Sequence, residues 1–218
     1  MSHAASETVM ARWFGAAVTK ARNVARGLIQ RHATGSIKKK LWDREFSQGR
    51  WDCLDRMPDD CLYPHVERYA NQGSVLDLGC GPGTTGTELA ANAYSSYTGV
   101  DISQVAVEKA RNRAEAHHRT AKNSYLQADL FSYVPTGSHD VILFGDSLYY
   151  IPWRTILPLL NRYTTYLKPS GVFVVRIYGL RYQTILDMIE SHFDVLEKHV
   201  YADEVFVLAF RPLAQRPH

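Results

Sequence analysis

Cysteine is scarce in this 218-residue chain, long apolar runs are missing, and neither charge dominates, with 25 Lys and Arg against 22 Asp and Glu. The three cysteines, Cys53, Cys61 and Cys80, match no zinc-ligand spacing. They suit a reducing compartment better than a disulfide framework. No stretch approaches the roughly 20 apolar residues that span a bilayer. No short apolar run with a small-residue cleavage site follows the first residues either, so the expected location is the cytoplasm. Internal repeats and low-complexity tracts are absent. None of the nine histidines stands in a ligand spacing with a credible partner, so no metal is expected.

What is present is an ordinary globular composition, 45% apolar and 22% charged, in a length that suits one domain with added segments. The charge is unevenly placed. Residues 1–42 hold eight Lys and Arg and one acid, whereas residues 43–218 hold 17 bases and 21 acids. The acidic body makes nucleic acid an unexpected partner. Residues 10–29 place Trp13, Phe14, Val18, Val24, Leu28 and Ile29 on one side of a helix and Arg12, Lys20, Arg22 and Arg26 on the other. Three uses fit such a helix. It packs its apolar face on the core as a lid or dimer element, it lies on an anionic membrane surface, or it is an organelle presequence.

From Ser74 onward short β-rich runs alternate with helical patterns. Strands are expected at "SVLDLG", "SSYTGVDI", "NSYLQADL", "HDVILFGD" and "GVFVVRIY", with helices over 84–93, 104–118, 153–167 and 180–192. Ser103 is a plausible N-cap. Pro158 is expected to bend or break its helix. Alternation of this kind argues a parallel sheet with helices on both faces. Two closing strands, "FDVLEKHVYA" and "EVFVLAFR", have no helix between them, so the last runs antiparallel. The organisation reads as a basic helical arm (1–36), a preceding segment (37–73) and an α/β domain (74–212).

The most informative stretch is "LDLGCGPGTTG" at 76–86. A triphosphate loop needs a Lys-Ser/Thr pair after its last glycine, but Gly86 precedes Thr87 and Glu88, and no lysine lies between Lys40 and Lys109. A dinucleotide loop fits better. Gly81, Gly83 and Gly86 have its spacing, and Asp101 ends the next strand where ribose hydroxyls would be met. The same residues also read in another frame, as Asp77-x-Gly79-x-Gly81-x-Gly83.

In that frame the stretch resembles the first motif of the class I S-adenosylmethionine-dependent methyltransferase family, and the likeness continues in order over about 74–211. It implies a Rossmann-like seven-stranded sheet, order 3-2-1-4-5-7-6 with strand 7 antiparallel, and S-adenosylmethionine as cofactor. Asp77 supports this frame, since a carboxylate suits a ligand carrying an ammonium group and would repel a pyrophosphate. The resemblance implies that Gly79, Cys80, Gly81 and Gly83 cradle the cofactor, with Cys80 presenting backbone. It implies that Asp101 holds the ribose, Ile102 and Leu130 pack on the adenine, Asp129 meets its amino group, and Gly145 lies beside the transferred methyl. "LWDREFSQGRWD" resembles the segment that folds over the cofactor in small-molecule members, with Trp42, Phe46 and Trp51 as a lid. In "GDSLYYIP", Asp146 is the residue expected to orient the acceptor, and Tyr150 stands where many relatives have histidine. Arg50, Arg176 and Tyr178 are further residues near the expected mouth, without an assigned role. The implied function is methylation of a small-molecule N, O or S nucleophile. The alternatives are a nucleic-acid methyltransferase, disfavoured by the missing Asn/Asp-Pro-Pro-aromatic motif for base amino groups, a protein methyltransferase, a non-catalytic cofactor-binding protein, and a nicotinamide oxidoreductase. The last lacks a Tyr-x-x-x-Lys pair.

Overall fold

The order of buried side chains along each strand explains the architecture. In β1 (Ser74–Leu78), Leu76 and Leu78 turn to one face and Val75 to the other, and β4 (His139–Gly145) and β5 (Leu167–Tyr178) repeat this alternation. Strands buried on both faces need helical layers on both sides. The computed structural model, which describes residues 25–55 and 59–213, has those layers. Ile142, Phe144, Phe173 and Val175 pack with α6 (Trp153–Thr164) and α7 (Gln183–His192). Val141, Leu143, Val172 and Val174 pack with α3 (Tyr63–Ala70) and α5 (Gln104–Ala116). Each fully buried large apolar side chain is worth roughly 1.5–3 kcal/mol.

The sheet has seven strands in the order β3-β2-β1-β4-β5-β7-β6, as expected. β2 (Ser96–Asp101) and β3 (Asn123–Gln127) extend it in parallel from β1, while β7 (Val205–Pro212) is antiparallel to both β5 and β6 (Phe193–Tyr201). The ends of β1, β2 and β4 therefore gather on one side, which in an open α/β sheet is where ligands bind.

Three local expectations change. The helix expected over 84–93 is only α4 (Thr84–Glu88). Leu89 turns into the core, and the Arg119 guanidinium donates to the Thr87 and Leu89 carbonyls, satisfying groups that a longer helix would have bonded itself. Pro158 lies within α6 and does not end it. The strand expected from Gly171 begins earlier, with β5 starting at Leu167 beside a register shift against β4. Ser103 does cap α5, accepting from the Ala106 amide at 3.2 Å.

Of the basic arm, residues 10–24 lie outside the described residues. Residues 25–32 are helical (α1), and α2 (Gly35–Ser47) follows after a break at 33–34. Over α1 the expected packing is reversed, because Leu28 is 57% exposed while Gln30 is buried. Arg26 pairs with the buried Glu45 of α2 at 2.9 Å, and Arg31 donates to the Tyr149 carbonyl at 3.2 Å. These polar anchors, rather than the apolar stripe, face the domain.

Candidate active site

Between β1 and α4 the chain makes the glycine loop. Gly79 has φ +92°, and a Cβ there would fall 2.6 Å from the Ser147 Cβ, so only glycine lets the loop after β4 lie against it. The Gly79 and Cys80 amides both donate to the Val100 carbonyl, at 2.8 and 3.1 Å. The Gly81 amide donates to Asp101 Oδ2 at 2.9 Å, and Ser103 N to Oδ1 at 2.8 Å. The loop and the Asp101 carboxylate are thus locked together. Cys80 turns its thiol into the protein, toward the Gly81 carbonyl, and burial pushes that thiol well up. Gly83 departs from the expected set. It lies off the cavity lining, and a Cβ at its φ of +78° would meet the Ala110 Cβ at 2.7 Å, so this glycine serves the close approach of loop to α5.

Two acids at this end are buried without a matching cation. Asp77 accepts from the Tyr97 hydroxyl through Oδ2, while its Oδ1 has no partner. Burial pushes its carboxyl up to about 7, with Tyr97 opposing and Asp101 adding to the rise. Burial likewise pushes Asp101 up to about 6, against the Ser103 and Gly81 amides. A positively charged ligand would offset the buried charge. Asp129, after β3, accepts from the Phe131 amide at 2.9 Å. Lys38 of α2 reaches the same corner, its ammonium 5.6 Å from the Phe131 ring centre, and burial pulls its pKa down with Asp129 opposing.

The far end is built from β4, β5 and the N-terminal helices. Asp146, just past Gly145, sits at φ +56°, a conformation rare outside glycine. Arg176 of β5 donates to Asp146 Oδ2 from Nε at 2.8 Å and from Nη2 at 2.5 Å, and Nη1 pairs with Asp60. Asp146 Oδ1 is buried without a partner. Burial raises this carboxyl and Arg176 opposes the rise. Around the triad stand aromatic rings. Trp42 lies edge-on to Tyr150 at 5.0 Å and 5.6 Å from Trp51, and Tyr149 stacks on Tyr182 at 4.6 Å. Trp42 and Phe46, one helical turn apart on α2, are 6.2 Å from each other. Trp51 is held by a bond from its indole nitrogen to Glu45 at 3.0 Å.

One cavity of about 740 Å³ joins the two ends. Trp42, Asp77, Gly79, Cys80, Gly81, Asp101, Ile102, Asp129, Leu130, Gly145, Asp146 and Tyr150 all line it. Of the sequence candidates, Gly83 and the exposed Arg50 do not. Arg176 and Tyr178 do. Sequence reasoning missed Gln30, Lys38 and Asp60. Asp60 has no signal of its own, since its place depends on Arg176, far along the chain. Gln30 follows the amphipathic stretch 10–29 with no signal of its own, yet its side-chain nitrogen is buried in the cavity wall without a partner.

Comparison with known proteins follows this geometry. Residues 75–171 match the family model described as a methyltransferase domain. The chain is 26% identical over 148 residues to 27-O-demethylrifamycin SV methyltransferase of Amycolatopsis mediterranei, covering 64% of this chain and 53% of that protein. It is 22% identical over 142 residues to the ubiquinone biosynthesis O-methyltransferase of Rickettsia canadensis, covering 64% and 58%. The chain thus spans little more than half the length of these curated relatives. Among solved structures, the N-methyltransferase NodS of Bradyrhizobium japonicum, crystallised with S-adenosyl-L-homocysteine, superposes with a TM-score of 0.63. The identity is 18%, over 80% of this chain and 97% of that one.

Proposed function

We propose that this chain, which belongs to the class I S-adenosylmethionine-dependent methyltransferase family, methylates an amine nitrogen of a small molecule. The observation that carries the reading is the single cavity with two distinct ends, an acid-lined glycine loop and an aromatic-walled Asp60–Arg176–Asp146 triad.

The residues of the first end fit the cofactor. Asp77 Oδ1 is a buried acceptor without a partner, and an ammonium group answers it. Asp101 keeps lone pairs for hydroxyl donors while the Gly81 and Ser103 amides hold its carboxylate in place. Asp129, Ile102 and Leu130 form the adenine side of the same cavity. When bound, S-adenosylmethionine supplies a methyl already activated on a sulfonium, so the protein's share is to position and desolvate the nucleophile.

The second end favours an amine. Two carboxylates face one guanidinium there, leaving one negative charge in a largely apolar space. The faces of Trp42, Trp51 and Tyr150 add an environment that attracts cations. Asp146 Oδ1 accepts the N–H of the acceptor and aims the nitrogen lone pair toward Gly145. With the cofactor bound, Asp146 Oδ1 would hold the acceptor's N–H and would take the proton that the nitrogen loses on methylation, passing it on to solvent. Burial has already raised the Asp146 carboxyl toward the range in which it can take that proton. Tyr150 is unsuited to this task, since burial pushes its hydroxyl up to about 12. It packs against Trp42 and shapes the wall. α1 and α2 give Gln30, Lys38 and Trp42 to the cavity wall, and Arg26 and Arg31 anchor α1 to Glu45 and Tyr149. A recessed site of this size favours a small acceptor over a folded polymer.

The test is an acceptor screen that reads S-adenosylhomocysteine release from amines, alcohols, thiols and carboxylates. Amines are expected to lead. Asp146→Asn is expected to lower kcat by roughly 10²–10⁴-fold while calorimetric affinity for the cofactor stays within about threefold. Turnover unchanged in Asp146→Asn removes the role given to this carboxylate, and a screen led by alcohols removes the amine.

A further inference from the structure

A second group of titratable side chains lies away from the cavity lining. α3 carries His65, 2% exposed, against β6, where Glu197 and His199 are two residues apart and so share one face of the strand. Glu197 Oε1 is 3.2 Å from His65 Nδ1 and 2.7 Å from His199 Nε2. The two rings are 5.0 Å apart, and one ligand atom from each of the three residues fits within 4.8 Å.

The hydrogen bonding around His65 points to a cation. Its Nε2 lies 2.7 Å from the Tyr201 hydroxyl, also on β6. Its Nδ1 is buried and makes no hydrogen bond, although the Glu197 carboxylate is near. In the tautomer with Nε2 donating to Tyr201, Nδ1 presents a lone pair to a carboxylate oxygen 3.2 Å away, and a positive ion between them satisfies both, with a proton on Nδ1 as its competitor. Imidazole ligands usually donate their other ring N–H to an outer partner in this way. Glu197 has its own outer partner, since Tyr69 donates to Oε2 at 3.0 Å. Arg68 now reaches Oε1 at 2.8 Å, but its side chain is 61% exposed and has room to turn into solvent.

We propose that His65, Glu197 and His199 form a divalent transition-metal site of the zinc class, with water completing a tetrahedron and Arg68 occupying the carboxylate when no ion is bound. Two imidazoles and a carboxylate are a normal donor set for zinc. A tetrahedral ion with metal–ligand distances of about 2.0–2.2 Å sets its ligand atoms roughly 3.3 Å apart. The Glu197 oxygen is near that spacing from both rings, and the half-exposed His199 ring turns to complete it. Spacing along the chain shows no metal site because this cluster comes from two elements far apart in sequence. Its consequence reaches the cavity, because Cys61 and Tyr63, just ahead of His65, line the wall. Binding would fasten α3 to β6 and stiffen that wall.

The experiment uses the full chain, stripped with chelator and titrated with zinc against a chromophoric competitor at pH 7.5. One equivalent is expected to bind with micromolar or tighter Kd and to raise Tm by several degrees. Cobalt in its place should give the visible absorption of a tetrahedral site. His199→Ala, at a half-exposed position, should weaken zinc at least tenfold without loss of the fold. Glu197→Gln should do the same. Arg68→Ala should tighten zinc severalfold, because the competing cation is gone. No binding above the competitor, or binding that His199→Ala leaves unchanged, overturns the proposal. So does zinc affinity lowered by Arg68→Ala.

Discussion

Replacing Asp77 by asparagine keeps an oxygen for the Tyr97 hydroxyl and removes only the buried charge. The carboxyl has an ordinary pKa of 3.8 when unfolded and is pushed up to about 7 by burial in the folded protein. Below pH 3.8 both states hold the proton, and this group leaves stability unaffected. As pH rises, the unfolded chain gives up the proton first and is favoured by about 1.36 kcal/mol per unit, until the folded carboxyl also ionises near pH 7. The difference of about three units makes the ligand-free protein up to about 4 kcal/mol less stable at pH 8 than it would be with a neutral side chain. Asp77→Asn is therefore expected to match the native protein near pH 3, to exceed it by about 1.5 kcal/mol at pH 5 and by up to about 4 kcal/mol at pH 8. Urea unfolding of both proteins across this range reads the difference, and other ionisable groups cancel in it. Cofactor binding should move the other way. Native affinity should rise through pH 7 as Asp77 ionises to meet an ammonium group, and the variant should lose both the affinity and its pH dependence. If Asp77→Asn is no more stable at pH 8, the carboxylate is not carrying uncompensated charge, and the electrostatic account of this end of the cavity falls.

Two further outcomes follow from the same geometry. Arg176→Met leaves the buried Asp60 carboxylate and the part-exposed Asp146 carboxylate without their cation and should cost about 3 kcal/mol, most of it recovered when both acids also become asparagine. Denaturant midpoints of the single and triple variants check this, and a single variant as stable as the native chain would contradict it. Gly83→Ala combines a φ of +78° with an approach of 2.7 Å to Ala110, which together should cost about 2–4 kcal/mol. Calorimetric affinity for the cofactor at low temperature should change little, whereas a large loss of affinity with normal stability would return Gly83 to the cofactor-binding surface.

How far the sequence could be read depended on the range of the forces involved. Near-continuous apolar runs in "SVLDLG" and "HDVILFGD" are a local pattern, and they point directly to strands buried on both faces. The two closing runs without a helix between them implied an antiparallel β7, which the sheet has. The ordered acids Asp77, Asp101 and Asp129 mark one end of the cavity because each lies at or just past the C-terminal end of its own strand. The helix over 84–93 was overestimated because a local helical pattern does not show Arg119 waiting to take the carbonyls of a shorter one.

By itself, the sequence determined the seven-stranded α/β frame and the residues that gather at the glycine loop, because burial on two faces and tight turns are written in neighbouring residues. Tertiary structure alone decided which side of α1 faces the domain, that Asp60 and Asp146 share one guanidinium, and that His65 meets Glu197 and His199. Those outcomes depend on buried charges finding partners, and such partners come from wherever the chain brings them.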